Sequence, residues 1–82
     1  MIKDYFIIYN PKSGKGKSKK IIVNLTDDLK KIGKSYDIKT TEYSNHAKDI
    51  CQKIKGYKNL IVVGGDGTFN ECINGLMNNK DS

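Results

Sequence analysis

Apolar and polar positions along the chain form three successive units, each made of a strand-like stretch, a turn and an amphipathic stretch. Residues 5–9 and 60–63 are almost continuously apolar, whereas residues 36–41 alternate. A short continuous apolar run is typical of a strand covered on both faces, and alternation is typical of a strand with one exposed face. The pattern therefore predicts three strands, each followed by a helix.

The predicted helices carry apolar residues at helical spacing. In the first helix, which should begin near residues 15–18 and stop at Gly33, these residues are Ile21, Ile22, Leu25, Leu29 and Ile32. In the second, capped by Ser44 or Asn45 and stopped by Gly56, they are Ala47, Ile50, Cys51 and Ile54. In the third they are Phe69, Cys72, Ile73, Leu76 and Met77.

Strands that alternate with helices of these lengths imply right-handed crossovers and a parallel sheet. We therefore predict an α/β fold of three layers, with a short parallel sheet in βαβαβα order. If the first strand lies in the middle, the turns that follow the first and third strands are neighbours. Ligands of open α/β sheets bind at the carboxyl ends of the strands, at such a switch point.

The charge of the chain indicates what kind of partner it binds. The net charge is +6, all 15 basic residues are lysine, and five of them lie within residues 12–20. This cluster favours a partner with phosphates, which can be a nucleotide, a nucleic acid or an anionic membrane. The alternative interpretation is a solvated, lysine-rich surface.

Length and cysteine content place further limits on the protein. The 82 residues suffice for one small domain, and the apolar runs are too short to span a bilayer. Cys51 and Cys72 form no Cys-x-x-Cys pair, so we expect neither a disulfide framework nor a zinc site. We expect a cytoplasmic location, where cysteines stay reduced. The chain ends in a polar run at Lys80, Asp81 and Ser82, which we interpret as a truncation point.

The turn after the first strand, residues 10–18, ends like a Walker A loop in Gly16, Lys17 and Ser18. A Walker A loop needs a glycine five positions before its Gly-Lys-Ser tail, and that position holds Pro11. Proline has no backbone N–H to offer a phosphate oxygen. The stretch therefore does not fit a Walker loop.

The same turn has other means of binding phosphate. Asn10 can bond its own backbone two residues on, Ser13 offers a hydroxyl, and Gly14 permits a positive φ. The N-terminus of the following helix supplies free N–H groups, and Lys12, Lys15 and Lys17 add positive charge. The alternative is a plain turn capped by Ser13.

The turn after the third strand contains Gly64, Gly65, Asp66, Gly67 and Thr68. The glycines allow a tight fold and close approach to a ligand, and Thr68 adds a hydroxyl at the helix start. Asp66 can hold Mg²⁺ directly or through water, or it can simply cap the helix. We expect Glu71 in the first helical turn, facing the same site.

Three stretches in this order resemble the catalytic domain of the diacylglycerol kinase family, which includes bacterial lipid kinases and the sphingosine and ceramide kinases. They are Asn-Pro-Lys-Ser-Gly at residues 10–14, a threonine followed by His46-Ala47, and Gly-Gly-Asp-Gly-Thr-Phe-Asn-Glu at residues 64–71. The resemblance runs from about Tyr5 to Leu76. Gly-Gly-Asp-Gly-Thr alone also occurs in NAD kinases, but the combination is more specific to the lipid kinases.

The resemblance implies ATP as phosphoryl donor, Mg²⁺ as cofactor and a lipid hydroxyl, such as that of diacylglycerol, as acceptor. It implies that the ATP-binding residues are Asn10, Pro11, Lys12, Ser13, Gly14, Thr41, Gly65, Asp66, Gly67, Thr68, Phe69, Asn70 and Glu71. Asn45 stands where the family usually has glycine, a minor departure because asparagine also caps helices. We interpret His46 as structural rather than catalytic, since no partner is placed for it.

Family members are several times longer and carry a second, β-rich domain with the general base and the lipid pocket. We therefore predict that residues 1–82 are the N-terminal part of the catalytic domain, inactive alone, and peripheral at the inner membrane face in the whole protein. The exposed sheet edge after the third strand favours self-association. The alternatives are an NAD kinase fragment, a non-catalytic nucleotide-binding remnant and a basic nucleic-acid-binding module, the last disfavoured by the absence of arginine.

Overall fold

The computed structural model describes residues 2–79, apart from the side chain of Lys15. Along the chain, the elements are β1 (Lys3–Tyr9), a short 3₁₀ helix (Ser13–Gly16), α1 (Lys17–Lys31), β2 (Tyr36–Thr40), α2 (His46–Lys53), β3 (Tyr57–Val63) and α3 (Asp66–Met77). The predicted order of strands and helices is confirmed. The polar end at residues 80–82, interpreted above as a truncation point, lies outside the described residues.

The three strands form one parallel sheet in the order β2-β1-β3. Ile7 of β1 is level with Ile38 of β2 and with Ile61 of β3. The prediction that the first strand lies in the middle is therefore confirmed. Among the described residues β2 and β3 are edge strands, and self-association at such an edge stays a prediction.

Two clusters of buried side chains lie on opposite faces of the sheet. Ile7 and Val63 pack against Ile22 and Leu29 of α1 on one face. On the other face, the cluster joins the sheet to α2 and α3 and consists of Phe6, Ile8, Ala47, Cys51 and Cys72. Alternate residues of a strand point to opposite faces, which is why Ile7 and Ile8 are both fully buried in different layers. The three-layer α/β prediction is confirmed.

The predicted apolar stripes of the helices are wider than the surface that buries them. Ile21 and Ile32 of the first stripe are 54% and 63% exposed. In the third stripe, Phe69, Ile73 and Met77 are 54%, 40% and 80% exposed, although Cys72 is buried. Part of each apolar stripe therefore lies outside the surface that the sheet and the neighbouring helix cover.

The predicted helix stops are correct at one position and misplaced at another. Gly33 follows α1 with a φ of 71°, the left-handed conformation that favours glycine. Gly56 also has a positive φ of 81°, but α2 has already ended at Lys53, and Ile54 is extended. Gly56 therefore turns the chain into β3 rather than stopping the helix.

The described residues contain no helix that is both long enough and apolar enough to cross a membrane. Cys51 and Cys72 are free thiols buried between α2 and α3.

Candidate functional site

The carboxyl ends of β1 and β3 lie side by side. Tyr9 is level with Val63, and the backbone N–H of Asn10 donates to the carbonyl of Val63 over 2.8 Å. The turns after these two strands therefore begin at the same edge of the sheet, as the strand order predicts. Parallel α/β sheets bind their ligands at this edge.

The first turn, residues 10–16, is held by its own side chains. The backbone N–H of Lys12 donates to Oδ1 of Asn10 over 3.0 Å, which confirms the bond predicted for that asparagine. Gly14 and Gly16 have φ angles of 67° and 91°, so the turn uses the positive φ that glycine permits. Ser13 caps neither the 3₁₀ helix nor α1, so the interpretation as a plain capped turn was wrong.

The Ser18 side chain forms hydrogen bonds to the backbone of this turn, a role that the sequence did not predict. Its hydroxyl is within hydrogen-bond distance of the carbonyl of Ser13 at 3.0 Å and of the carbonyl of Asn10 at 3.3 Å. Only 4% of Ser18 is exposed. The available signal was a serine near the start of α1, nine residues after the end of β1.

Two hydrogen bonds join the first turn to the second turn, residues 64–68. The side-chain amide of Asn10 donates to Oγ1 of Thr68 over 3.0 Å, and the backbone N–H of Gly65 donates to Oγ of Ser13 over 3.0 Å. Both hydroxyl oxygens act as acceptors, and each hydroxyl still carries a proton of its own. Ser13 and Thr68 can therefore donate to a ligand without breaking the contact between the turns.

Among the three glycines of the second turn, close packing requires only Gly64, and a positive φ requires none of them. None of Gly64, Gly65 and Gly67 has a φ in the left-handed region. A Cβ at Gly64 would lie 2.9 Å from Cβ of Thr68, so a side chain there would displace the threonine. Gly67 lies inside α3 with nothing within 4 Å of its Cβ position. The predicted tight fold thus rests on Gly64.

Asp66 is the first residue of α3 and is exposed. No side chain caps this helix, so the interpretation of Asp66 as a helix cap was wrong. Because α3 starts at Asp66, Glu71 lies in its second turn rather than the first, which corrects the predicted place of that residue. The backbone N–H groups at the N-terminus of α3 lack partners within the helix and can therefore bind an anion.

Asp66 offers a single carboxylate to a Mg²⁺ ion. Within residues 2–79 no three His, Cys, Asp or Glu side chains cluster as a metal site. Mg²⁺ in nucleotide sites takes one or two carboxylates together with phosphate oxygens and water. The exposed carboxylate of Asp66, at the N-terminus of α3, fits that need as a single ligand.

A cavity of about 180 Å³ lies beside the two turns and is walled by the segment after β2. Its lining residues are Asn10, Lys12, Thr41, Glu42, Tyr43, Ser44, Thr68 and Glu71. Five of the predicted ATP-binding residues therefore share one cavity. Glu42, Tyr43 and Ser44 were not predicted, because nothing in a short connecting segment marks them by residue type or spacing.

Other predicted residues lie at the turns or away from the cavity. Gly65 touches the first turn through Ser13, while Pro11, Gly14, Asp66 and Gly67 are exposed at the turns. Phe69 and Asn70 of α3 are exposed and do not line the cavity. A larger cavity of about 210 Å³ lies near Tyr57 and Leu60 of β3 and contains none of the predicted site residues.

Thr41 lies one residue beyond the end of β2 and stays attached to β1. Its backbone N–H donates to the carbonyl of Tyr9 over 2.8 Å, and its hydroxyl lies 3.5 Å from the same oxygen. Thr41 lines the cavity, whereas Thr40 is exposed within the strand and does not. The geometry therefore favours Thr41 over Thr40 as the threonine at the predicted nucleotide site, as the resemblance does.

The wall of the cavity is shaped around His46, which begins α2. Nδ1 of the buried His46 accepts the backbone N–H of Glu42 over 2.8 Å, and the ring of Tyr43 stacks on the imidazole at 4.1 Å between centroids. His46 thus makes structural contacts. Asn45 occupies the N-cap position of α2 with a φ of 67°, as one of the two predicted alternatives, but its side chain makes no capping hydrogen bond. Ser44 is not at the N-cap position. The left-handed backbone explains why asparagine replaces glycine here.

The fold and the joined turns define an α/β protein of the class that binds ligands at the carboxyl ends of parallel strands. Comparison with known proteins identifies the family. A sequence profile of the diacylglycerol kinase catalytic domain matches residues 4–82. The chain belongs to the diacylglycerol kinase catalytic domain family.

Curated relatives are lipid kinases by name. Sphingoid long chain base kinase 5 of Saccharomyces cerevisiae is 35% identical over 82 residues, or 96% of this chain and 12% of that protein. Sphingosine kinase 1 of Rattus norvegicus is 35% identical over 78 residues, or 92% of this chain and 20% of that protein. Ceramide kinase of Homo sapiens is 35% identical over 78 residues, or 92% of this chain and 14% of that protein. The chain thus spans a fifth or less of these relatives.

Proposed function

We propose that the chain is the nucleotide-binding part of a lipid kinase, which transfers the γ-phosphoryl group of ATP to a lipid hydroxyl. Membership of the family and the names of the relatives support this proposal. Diacylglycerol, sphingoid bases and ceramide are the candidate acceptors, since each carries a free hydroxyl. We further propose that residues 1–82 are the N-terminal part of the catalytic domain, with the general base and the lipid pocket elsewhere in a longer protein.

The observation that carries the proposal is the contact between the two turns. Ser13 accepts the backbone N–H of Gly65 over 3.0 Å, which brings the turn after β1 to the N-terminus of α3. The proton of the Ser13 hydroxyl then remains for a phosphate oxygen. A polyphosphate at this point would meet that hydroxyl, the N–H groups that open α3 and the exposed ammonium of Lys12.

Phosphoryl transfer depends mainly on positioning the donor and balancing its charge. In this proposal, the first turn and the start of α3 hold the phosphates, and Thr41 and Glu71 border the adjoining cavity. Asp66 is the residue that would hold Mg²⁺, directly or through water. Bound Mg²⁺ would neutralise phosphate charge and keep the β- and γ-phosphates in one geometry.

The first experiment measures binding of Mg²⁺-ATP to the chain by calorimetry and by chemical-shift mapping. We expect shifts at both turns, with Ser13→Ala weakening binding about tenfold or more, as expected for a lost hydrogen bond to a charged group. Asp66→Ala should weaken Mg²⁺-ATP more than ATP with the metal chelated. Asp27→Ala, an exposed acid on α1, serves as a matched control that should leave binding unchanged.

Chemical-shift changes confined to α1, or equal ATP binding by Ser13→Ala and the parent chain, would contradict the proposed site.

NAD is the competitor that separates a lipid kinase from an NAD kinase, because an NAD kinase site would bind NAD about as strongly as ATP. The acceptor is then identified by assaying the longer gene product with diacylglycerol, sphingosine and ceramide. We expect the chain of 82 residues alone to turn over none of them.

A further inference from the structure

The two cysteines of the chain lie against each other in the core, although they belong to different helices. Cys51 of α2 and Cys72 of α3 are 0% and 1% exposed and share one buried cluster. Their thiols hydrogen-bond to each other. No sequence motif marks the pair, because only the docking of α2 on α3 brings the two thiols together.

The helices that carry the pair approach each other closely. Gly75 lies three residues after Cys72, on the same face of α3. A Cβ built at Gly75 would lie 2.6 Å from Cβ of Cys51 and would overlap the backbone oxygen of Lys48. The backbone of α3 therefore touches α2 within one helical turn of the thiols. A disulfide needs its two Cβ atoms about 3.5–4.5 Å apart, which only helices in such close contact can provide.

The backbone at Cys51 is also held from the far end of α3. Just after α3 ends at Met77, the side-chain amide of Asn79 donates to the carbonyl of Cys51 over 2.7 Å and to that of Ile54 over 2.9 Å. Asn79 is itself buried. Cys51 therefore keeps its position relative to α3, and the two thiols stay paired in the folded chain.

We propose that Cys51 and Cys72 are a modification site for hydrogen peroxide, which converts the thiol pair into a reversible disulfide that ties α2 to α3. The inference goes beyond the proposed function and does not depend on it, because the pair lies in the core and not at the two turns. One thiolate takes an oxygen from the peroxide, becomes a sulfenic acid and releases hydroxide. The second thiol attacks that sulfur and releases the oxygen as water. Two thiols thus lose two electrons, and one peroxide becomes two molecules of water.

The pairing gives the two thiols different parts in this reaction. The thiolate, and not the thiol, is the nucleophile. The hydrogen bond from Cys72 holds the pKa of the Cys51 thiol below its ordinary value, and the same bond, together with burial, raises the pKa of Cys72. Cys51 is therefore the thiol that attacks the peroxide, and Cys72 is the thiol that resolves the sulfenic acid.

The short length of α2 gives the oxidant access to the buried pair. α2 has 8 residues, fewer than an isolated helix needs to be stable in water, so its packing maintains it. Such an element can open locally while the rest of the domain stays folded. Only Cys51 has to meet the peroxide, since Cys72 completes the disulfide after α2 closes again. The disulfide then prevents α2 from opening alone.

The test treats the reduced chain with hydrogen peroxide and compares it with Cys51→Ala and Cys72→Val, each shown by circular dichroism to be folded. We expect the parent to lose the mass of two hydrogen atoms and to yield a peptide that links Cys51 to Cys72, and we expect dithiothreitol to reverse both. The oxidised parent should unfold about 10 °C or more above the reduced parent. Amide hydrogens of α2 should exchange more slowly in the oxidised form. In Cys72→Val, dimedone should trap a sulfenic acid at Cys51.

Several results would overturn the proposal. Oxidation that links separate chains, or that produces sulfinic acid without the internal disulfide, shows that the two thiols do not react with each other. A disulfide that forms in urea but not in the folded chain shows that the native contact plays no part. Unchanged thermal unfolding and unchanged exchange in α2 show that the bond does not tie the helices. If neither variant folds, the linked peptide in the parent and its reversal by dithiothreitol still decide the question.

Discussion

The side-chain amide of Asn10 donates a hydrogen bond to Oγ1 of Thr68 over 3.0 Å, and this bond links two residues 58 positions apart in the chain. Asn10 also accepts the backbone N–H of Lys12, so its side chain spans the first turn and reaches the second. Thr68 is buried beneath Gly64, whose missing side chain makes room for it. Asn10 is therefore one of two residues, with Ser13, whose side chains join the two glycine-rich turns.

Breaking this bond should lower stability and spread the turns apart. We expect Asn10→Ala and Thr68→Val each to reduce the free energy of unfolding by about 1 kcal/mol, because each leaves a polar group of the pair without its partner. The double variant should cost less than the sum of the two single variants, since the second substitution removes a partner already lost. Urea unfolding of the four proteins, followed by circular dichroism, measures this coupling.

A purely additive result would mean that the two side chains do not interact in solution. Thr26→Val is a suitable comparison, because the Thr26 hydroxyl bonds only carbonyls of its own helix, those of Ile22 and Val23. Combined with Asn10→Ala, it should show no coupling, since the two sites share no contact.

Gly75 should be the least replaceable glycine of α3. A Cβ at this position would overlap the backbone oxygen of Lys48 and lie 2.6 Å from Cβ of Cys51. The overlap is with backbone of α2, which cannot rotate away, so Gly75→Ala should cost about 1–3 kcal/mol despite the better helix propensity of alanine. Gly67→Ala in the same helix has nothing within 4 Å and should instead stabilise by about 0.5–1 kcal/mol.

Thermal and urea unfolding of these two variants give the comparison directly. Because both substitutions change glycine to alanine within α3, helix propensity cancels between them. If Gly75→Ala were as stable as Gly67→Ala, α2 and α3 would not approach as closely as the fold requires.

Asn45 should tolerate glycine but not alanine. Its φ of 67° is left-handed, a conformation that costs an ordinary L-residue about 1–2 kcal/mol and costs glycine almost nothing. Asn45→Ala should therefore lower the free energy of unfolding by about 1 kcal/mol, whereas Asn45→Gly should stay within about 0.5 kcal/mol of the parent. Urea unfolding distinguishes the two. Equal loss in both variants would show that the asparagine side chain, and not the backbone angle, matters.

Local patterns in the sequence predict the sheet and its two turns well. The short apolar run from Leu60 to Val63 correctly marks a parallel strand, and the order of strands and helices restricts the topology to few arrangements. The prediction that this strand is buried was wrong, because β3 lies at an edge of the sheet and only Val63 of the run is buried. The glycine-rich turns follow because each directly ends a strand. Asn10 was correctly predicted to bond its own turn, since that contact depends on two neighbouring positions.

Contacts between distant segments could not be predicted from local patterns in the sequence. The hydrogen bond from the Gly65 N–H to the Ser13 hydroxyl joins residues 52 positions apart and depends on how the turns after β1 and β3 meet. Tyr43 carries no periodic signal, because it lies in an irregular segment where neither helical nor strand spacing applies. Likewise, the apolar spacing of Phe69 and Met77 predicts burial, but spacing alone does not show how much of a helix its neighbours cover.

Asp37 should make stability fall in acid. Its carboxylate on β2 contacts both other strands: Nζ of Lys3 in β1 lies 2.6 Å from Oδ1, and the hydroxyl of Tyr57 in β3 donates to Oδ2 over 2.7 Å. The hydrogen bond from Lys3, then that from Tyr57, hold the pKa of Asp37 below its ordinary value of 3.8. A lowered folded-state pKa stabilises the fold above 3.8, and this contribution is lost as pH falls from there through the folded-state pKa.

The check is urea unfolding of the parent chain and Asp37→Asn between about pH 7 and pH 2.5. The parent should be the more stable at neutral pH, and the difference should shrink below about pH 4, where the parent carboxyl is also protonated. Tyr57→Phe, which keeps the ring that packs on Phe6 but removes one donor, should show a smaller difference in the same direction. A difference between parent and Asp37→Asn that stays constant across the whole range would show that the charge of Asp37 contributes nothing to the fold.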